Sequence, residues 1–329
     1  MDFFTHITIS VAIAYFLFSD DNRQRAFIIG GIVPDFDVFI SWIPLLSPEL
    51  YILQHRGLTH TIFFAPITAI IFIFLTQYVE KFTSKEFLFK IITPLNRQTS
   101  FSAFFGTISH LTLDLITYSG VPLLYPITST RYSLGILTVF DPLITVLSTI
   151  LVFWVVIRQI NPNDSFSLSK FVNYSQITAG LFLILIFIYS SLFIYTIATY
   201  SPTTSSAEFI PIFRWILIDE EDQIHIHLVN QLFQDKVETY SYLKMSFNHT
   251  LWNDLTINSV VEEAKRTIDY KAFAFDLEPA TRLVYEVKFN DKDANWKVRI
   301  TNTLRDAQIR SYGILGSFFD HEIIITVNG

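Results

Sequence analysis

The stretch "YSPTTSSAEF" (residues 200–209) divides this 329-residue chain into two parts of different chemistry. Residues 1–200 hold 11 of the 30 acidic and 10 of the 23 basic residues, a net charge of −1. Residues 201–329 hold the other 19 and 13, a net charge of −6. The whole is 51% hydrophobic with 33 phenylalanines, too apolar for an ordinary soluble protein, and the excess lies before the break. The expected fold is therefore a polytopic α-helical membrane domain, residues 1–200, with five to six membrane segments of which one is broken. A β-rich α+β polar domain, residues 201–329, follows it.

Apolar runs at 3–18, 26–46, 61–79, 101–118, 137–157 and 177–200 supply the expected segments, several approaching the roughly 20 residues that cross a bilayer core. The N-terminus has neither a basic n-region nor a small-residue cleavage site, so 3–18 is expected to be a retained helix. The second run is interrupted at "VPDFD", where Pro34 lacks an amide donor and disfavours helix at Val33. Broken backbone at membrane depth is tolerated only where protein or a watery cavity satisfies it, which marks this turn as a site. If all six runs cross, Arg23, Arg25, Lys81, Lys85, Lys90, Arg97, Arg158 and Lys170 share one side, cytoplasmic by the positive-inside tendency. The C-terminal domain would then be extracytoplasmic.

Beyond the break, "QIHIHLVN", "RLVYEVKFN", "WKVRITN" and "EIIITVNG" alternate with period two and predict strands. "NDKDAN" is a plausible hairpin loop between two of them, and "DLTINSVVEEAKR" a short helix. His225 and His227 share one strand face and read as a solvated face. "NHT" at Asn248 is a glycosylation-type tripeptide that is common by chance.

The chain has no cysteine, so any metal must be held by histidine nitrogen and carboxylate oxygen. The ionisable residues within the apolar runs or opening them are almost purely of those two kinds: His6, Asp35, Asp37, His60, His110, Asp114 and Asp141, with His55 just outside. A charge near the centre of a membrane helix costs roughly 2.5–3.5 kcal/mol, so each is a functional candidate. In "SFSAFFGTISHLTLDLITYSG" Ser102, Gly106, His110 and Asp114 recur every four residues and fall on one helix face. Small residues there admit a neighbouring helix and place the His110–Asp114 pair against protein. That pair suits metal ligation; the bland alternative is a hydrogen-bonded pair joining two helices. In "QHRGLTHT" (54–61) a turn through Gly57 would bring His55 and His60 together, with Thr59 capping the helix beyond. Arg56 is a natural partner for phosphate or carboxylate; interfacial histidines with a snorkelling arginine are the alternative. Asp35 and Asp37 can converge from their turn but need a metal or a basic partner nearby; a solvated turn at the membrane edge is the alternative. His6 also reads as a polar anchor, and Asp141 before Pro142 also reads as a helix N-cap.

"HRGLTHT", with "GGIVPDFD" upstream, "GTISHLTLDLITYSGVPLLYP" downstream and a later "FDP", resembles the YdjM-like family of proposed membrane-bound, metal-dependent hydrolases over roughly residues 1–145. The His-x-x-x-Asp spacing of His110 and Asp114 is similar to a pair in zinc-dependent phospholipase C. The resemblance implies one or two divalent metals, zinc foremost, and hydrolysis of a phosphoester or other ester in a lipid-like substrate. Asp35, Asp37, His55, His60, His110 and Asp114, with His6 and Asp141, would be the ligands. Arg56, and secondarily Arg131 in "TSTRYS", would hold an anionic group, and Asp37 would join Arg56 in catalysis. The expected partners are membrane lipid and a small-molecule or lipid substrate in the cell membrane; mild acidity argues against nucleic acid. A non-enzymatic protein with a structural metal site or cation path and a partner-binding β-rich domain is the alternative, and a transporter a third.

Overall fold

The computed structural model describes residues 1–80, 93–160, 168–200, 202, 204–207, 214–220, 223–230, 237–247, 254–275, 282–290, 295–303, 306 and 322–328. Its helices start where the sequence supplies caps. Asp2 accepts from the amide of Thr5 and opens α1 (Phe3–Leu17). Asp20 accepts from the amide of Arg23 and opens α2 (Asp21–Ile32). Pro34 then tightens the chain into a 3₁₀ turn, Val33–Phe39, followed by the short α3 (Ile43–Leu46). Further 3₁₀ turns, Pro48–Leu53 and Leu58–His60, lead to α4 (Phe64–Glu80). Asn96 and Thr99 form a reciprocal capping box for α5 (Arg97–Ile116). Asp141 caps α6 (Pro142–Ile160), and α7 spans Leu168–Tyr200.

The chain forms two compact units, Met1–Ile43 with Leu53–Leu192 and Phe209–Ile212, and Pro44–Ile52 with Phe193–Glu208 and Phe213–Gly329. In the first, α2 and α5 make the closest pair because small residues remove the side chains between them. A Cβ on Gly106 would stand 2.1 Å from the Phe27 carbonyl oxygen, and one on Gly30 would stand 2.1 Å from that of Ala103. Gly31 is equally tight against the Ser10 hydroxyl, at 2.0 Å, so α1 closes on the same pair. Ala26, Ile29, Val33, Ala69, Ile73 and Ala103 fill the space towards α4.

Six membrane crossings are not what this backbone provides. Among the described residues one helix, Ser169–Tyr200, is long and apolar enough to cross a bilayer. The apolar helices Phe3–Leu17, Phe64–Tyr78 and Pro142–Ile157 fall short of the length. The expectation of five to six membrane segments is thereby overturned. Apolar runs overstate helix length: 61–79 loses its first residues to a turn, 137–157 becomes helical only at Pro142, and 26–46 breaks at Pro34. The assignment of loops to sides by counting Lys and Arg rested on those crossings and loses its basis with them.

The second unit carries two four-stranded sheets. In the first, β1 (Thr204–Ala207), β2 (Arg214–Glu220), β3 (Gln223–Asn230) and β4 (Val237–Leu243) are antiparallel neighbours in sequence order. Ile224, Ile226 and Leu228 are buried on one side of β3, while His225 and His227 on the other meet the Ser241 and Thr239 hydroxyls. The second sheet runs β5 (Met245–Phe247), β6 (Leu283–Asn290), β7 (Asn295–Asn302) and β8 (Glu322–Asn328), with β5 parallel to β6 and the rest antiparallel. Between β5 and β6 in sequence lie α8 (Asp254–Arg266) and α9 (Ile268–Phe275). Ile257, Val260, Val261 and Ala264 of α8 pack on Val287, Trp296, Val298, Ile300, Ile325 and Val327. The strands and helix read from alternation and helical period are present. The centre of the "NDKDAN" loop and the "NHT" tripeptide lie outside the described residues.

Candidate metal centre

Five side chains from four separate segments converge inside the first unit. α1 brings His6, the turn after Pro34 brings Asp35, the Leu58–His60 turn brings His60, and α5 brings His110 and Asp114. Ligand atoms of His6, Asp35, His110 and Asp114 all lie within 4.8 Å of one another. His60 Nε2 joins them, 3.2 Å from Asp35 Oδ1, 3.3 Å from Asp114 Oδ2 and 3.1 Å from His110 Nε2. The Nε2 of His110 stands 3.5 Å from Asp35 Oδ1 and 3.4 Å from Asp114 Oδ2; that of His6 stands 3.4 Å from Asp114 Oδ1. The rings of His6 and His110 stack with centroids 3.8 Å apart. The side chains of His6, His60, His110 and Asp114 are wholly buried, and that of Asp35 nearly so.

The hydrogen bonds behind this cluster decide what its front presents. His110 Nδ1 lies 2.9 Å from the Gly31 carbonyl, which can only accept, so Nδ1 carries the proton and a neutral ring turns a lone pair inward from Nε2. On His60, Nδ1 faces Asp37 Oδ2 at 3.2 Å and the Thr59 hydroxyl at 3.0 Å. That hydroxyl already donates to Asp37 at 2.5 Å, so His60 Nδ1 is again the protonated nitrogen. Two imidazole lone pairs then oppose each other across 3.1 Å, an arrangement that requires a cation or a proton between them.

Asp37 therefore stands behind the cluster. Its oxygens accept from Thr59, from the Arg56 amide at 3.1 Å and from His60, and they meet His55 Nδ1 at 2.7 Å. His55 is 41% exposed, so it joins the buried centre to the surface through Asp37. Arg56 adopts a left-handed φ of 58°, rare outside glycine; this places the special turn residue one position before Gly57, where the sequence pointed. Its buried guanidinium donates to Asp114 Oδ1 at 2.8 Å, to the Met1 carbonyl at 3.2 Å and to Thr117 Oγ1 at 3.3 Å. Thr61, not Thr59, accepts from the Phe64 amide at the start of α4.

Two expected site residues lie elsewhere. Asp141 accepts from the amides of Leu143 and Ile144 and from the Tyr189 hydroxyl at 2.7 Å, so it caps α6 and ties it to α7. Arg131 donates to the carbonyls of Ser119 and Gly120. Sequence reasoning missed the Gly31 carbonyl, although the adjacent glycines that allow its approach are visible in "IGGIVPDFD".

The electrostatics call for a cation. With neutral imidazoles, Asp35, Asp37 and Asp114 oppose two cations, the Arg56 guanidinium and the Met1 ammonium that meets Asp114, leaving one negative charge in a buried space. Burial raises the Asp35 carboxyl, but the facing His110, His6 and His60 outweigh it and hold the group well below the usual carboxylate range. Asp37 behaves alike, with His60 the largest opposing influence. Burial and then His110 push His6 down to about 4, leaving it neutral and ligand-ready near pH 7. His60 is raised well above its ordinary value, Asp37 and its other carboxylate partners overcoming burial, so a proton takes the central position when no metal does.

The donor set fits a metal. His6 Nε2, Asp35 Oδ2 and Asp114 Oδ2 are buried without a hydrogen-bond partner. The separations of 3.1–3.5 Å between most facing donors match the edge of about 3.3 Å expected of a tetrahedron with bonds of ~2.0–2.1 Å. Nδ1 anchored on a carbonyl and on a carboxylate is the usual outer support of metal-bound histidine.

The family model described as YdjM inner membrane protein matches residues 1–201, a span that contains every residue of the cluster. No curated protein and no solved structure matches.

Proposed function

The chain belongs to the YdjM inner membrane protein family, and from that premise we propose that its first unit is a metal-dependent hydrolase acting on a phosphoester or other ester of a lipid-like substrate. His6, Asp35, His60, His110 and Asp114 would hold the metal, zinc being the best match to three imidazoles and two carboxylates in a chain without cysteine. The α7 helix would anchor the chain in the bilayer. The observation that carries this reading is the convergence of imidazole lone pairs and partnerless carboxylate oxygens on one buried point. Bound there, the metal would supply a water acidified towards a pKa of ~7 and a Lewis acid for the scissile group.

The chain's own residues divide the remaining work. Asp37 orients His60 and His55 at once, so it is a positioning residue and not a ligand. His55, half-exposed and paired with Asp37, is placed to carry protons between the centre and water. Arg56 holds Asp114 in place and lowers the negative charge on it, and in this geometry its guanidinium is committed inward.

A second reading has its own observation. Four of the five donor side chains have no exposure at all, as in a closed structural site that orders a non-enzymatic membrane protein, with the β-rich unit recruiting a partner. Purified protein assayed on lipid phosphoesters and carboxylic esters, with and without chelator, separates the two. The hydrolase reading expects chelator-sensitive turnover that His55→Ala slows without releasing the metal. Metal-loaded protein with no turnover on any of them would leave the structural reading standing.

A further inference from the structure

Away from the metal centre, α1, α2 and α5 border a cleft of about 460 Å³, within the range of ligand pockets. Its walls are Ile13 and Leu17 of α1, Phe27 of α2, and Phe101, Phe105 and Ile108 of α5. Ordered along the three helices, one end carries Arg23 and Ser102 and the other runs towards Ser109, in the direction of His110. The cleft is thus apolar along its length with a cation at one end, the shape of a slot for an anionic amphiphile.

Arg23 is poised for an anion. Its guanidinium stacks on the Phe18 ring, 4.4 Å from the centroid, and Nε reaches the Ser102 hydroxyl at 3.5 Å. Among the described residues no carboxylate pairs with it, whereas the neighbouring Arg25 pairs with Asp21. Phe101 and Leu17 at the same end are 61% and 54% exposed, an apolar rim that suits a bilayer for a member of an inner membrane protein family.

We propose that this cleft holds one acyl chain of an anionic phospholipid, its phosphate gripped by Arg23 with the Ser102 hydroxyl beside it. The site is distinct from the metal centre: Ser102 precedes His110 by eight residues of the unbroken α5, about 12 Å along the helix axis, so a phosphate held here does not reach the ligands. The lipid is a bound companion of the fold, and its tail, not its headgroup, points towards the centre.

The test measures lipid retained by the purified full chain after equal exposure to phosphatidylglycerol and phosphatidylcholine, read by native mass spectrometry. Wild type is expected to retain phosphatidylglycerol in preference by about tenfold, the scale of one charge-assisted contact. Arg23→Gln should erase that preference while leaving the thermal midpoint within a few degrees. Ser109→Phe, which fills the slot, should lower retention of both lipids. Equal retention of the two lipids by wild type would overturn the proposal, as would an undiminished preference in folded Arg23→Gln. Neither readout depends on metal or turnover, so this site and the hydrolase reading can fail separately.

Discussion

At the scale of single residues, the centre depends on which nitrogen each histidine turns inward. His110 and His60 are fixed by the Gly31 carbonyl and by Asp37, so their partners matter nearly as much as the ligands. Asp37→Asn keeps the size of the side chain but weakens the support of His60 and His55. We predict that it folds and lowers metal affinity by about 10–100-fold, measured by competition with a chelator of known strength; unchanged affinity would mean Asp37 does not position the ligands. The His110–Asp114 pair was legible in the sequence because a helix puts residues four apart on one face. Asp37 was not separable from Asp35, since carboxylates two apart in a turn can aim to either side, and only Thr59, His55 and the Arg56 amide reveal which way it faces. Nor could the sequence show Arg56 turning inward, because a positive φ on a non-glycine residue has no signature.

At the scale of elements, the glycines of α2 and α5 bring the ligands within reach of one another. A Cβ at Gly106 falls 2.1 Å from a backbone oxygen, and a backbone cannot yield as a side-chain tip can. Gly106→Val should therefore force the helices apart, cost at least about 2 kcal/mol and lower metal content with stability. Gly180→Ala is the control, because nothing lies within 4 Å of its Cβ position; thermal unfolding of both checks the claim, and equal midpoints would defeat it. The Ser102–Gly106–His110–Asp114 spacing already predicted this close approach. Apolar runs misled at the same scale. They count residues whether helical or not, and they do not see that an inward-facing Thr, Ser or Gly belongs to protein packing rather than to lipid.

At the scale of the whole molecule, α7 ends at Tyr200 and β1 begins at Thr204, while the alternation of "QIHIHLVN" set Ile224, Ile226 and Leu228 on the face that is buried. The number of membrane crossings was the part not legible, since it depends on helix ends set by Pro34, Pro142 and the caps. The central claim is that five buried side chains share one metal. It is tested most directly by elemental analysis of the purified full chain alongside His110→Ala, Asp35→Ala and Asp141→Ala. Wild type should carry at least one divalent metal per chain, lost from the first two variants. It should be kept in Asp141→Ala, which instead loses about 1–2 kcal/mol of stability with its helix cap. Wild-type metal content in both His110→Ala and Asp35→Ala would contradict the account.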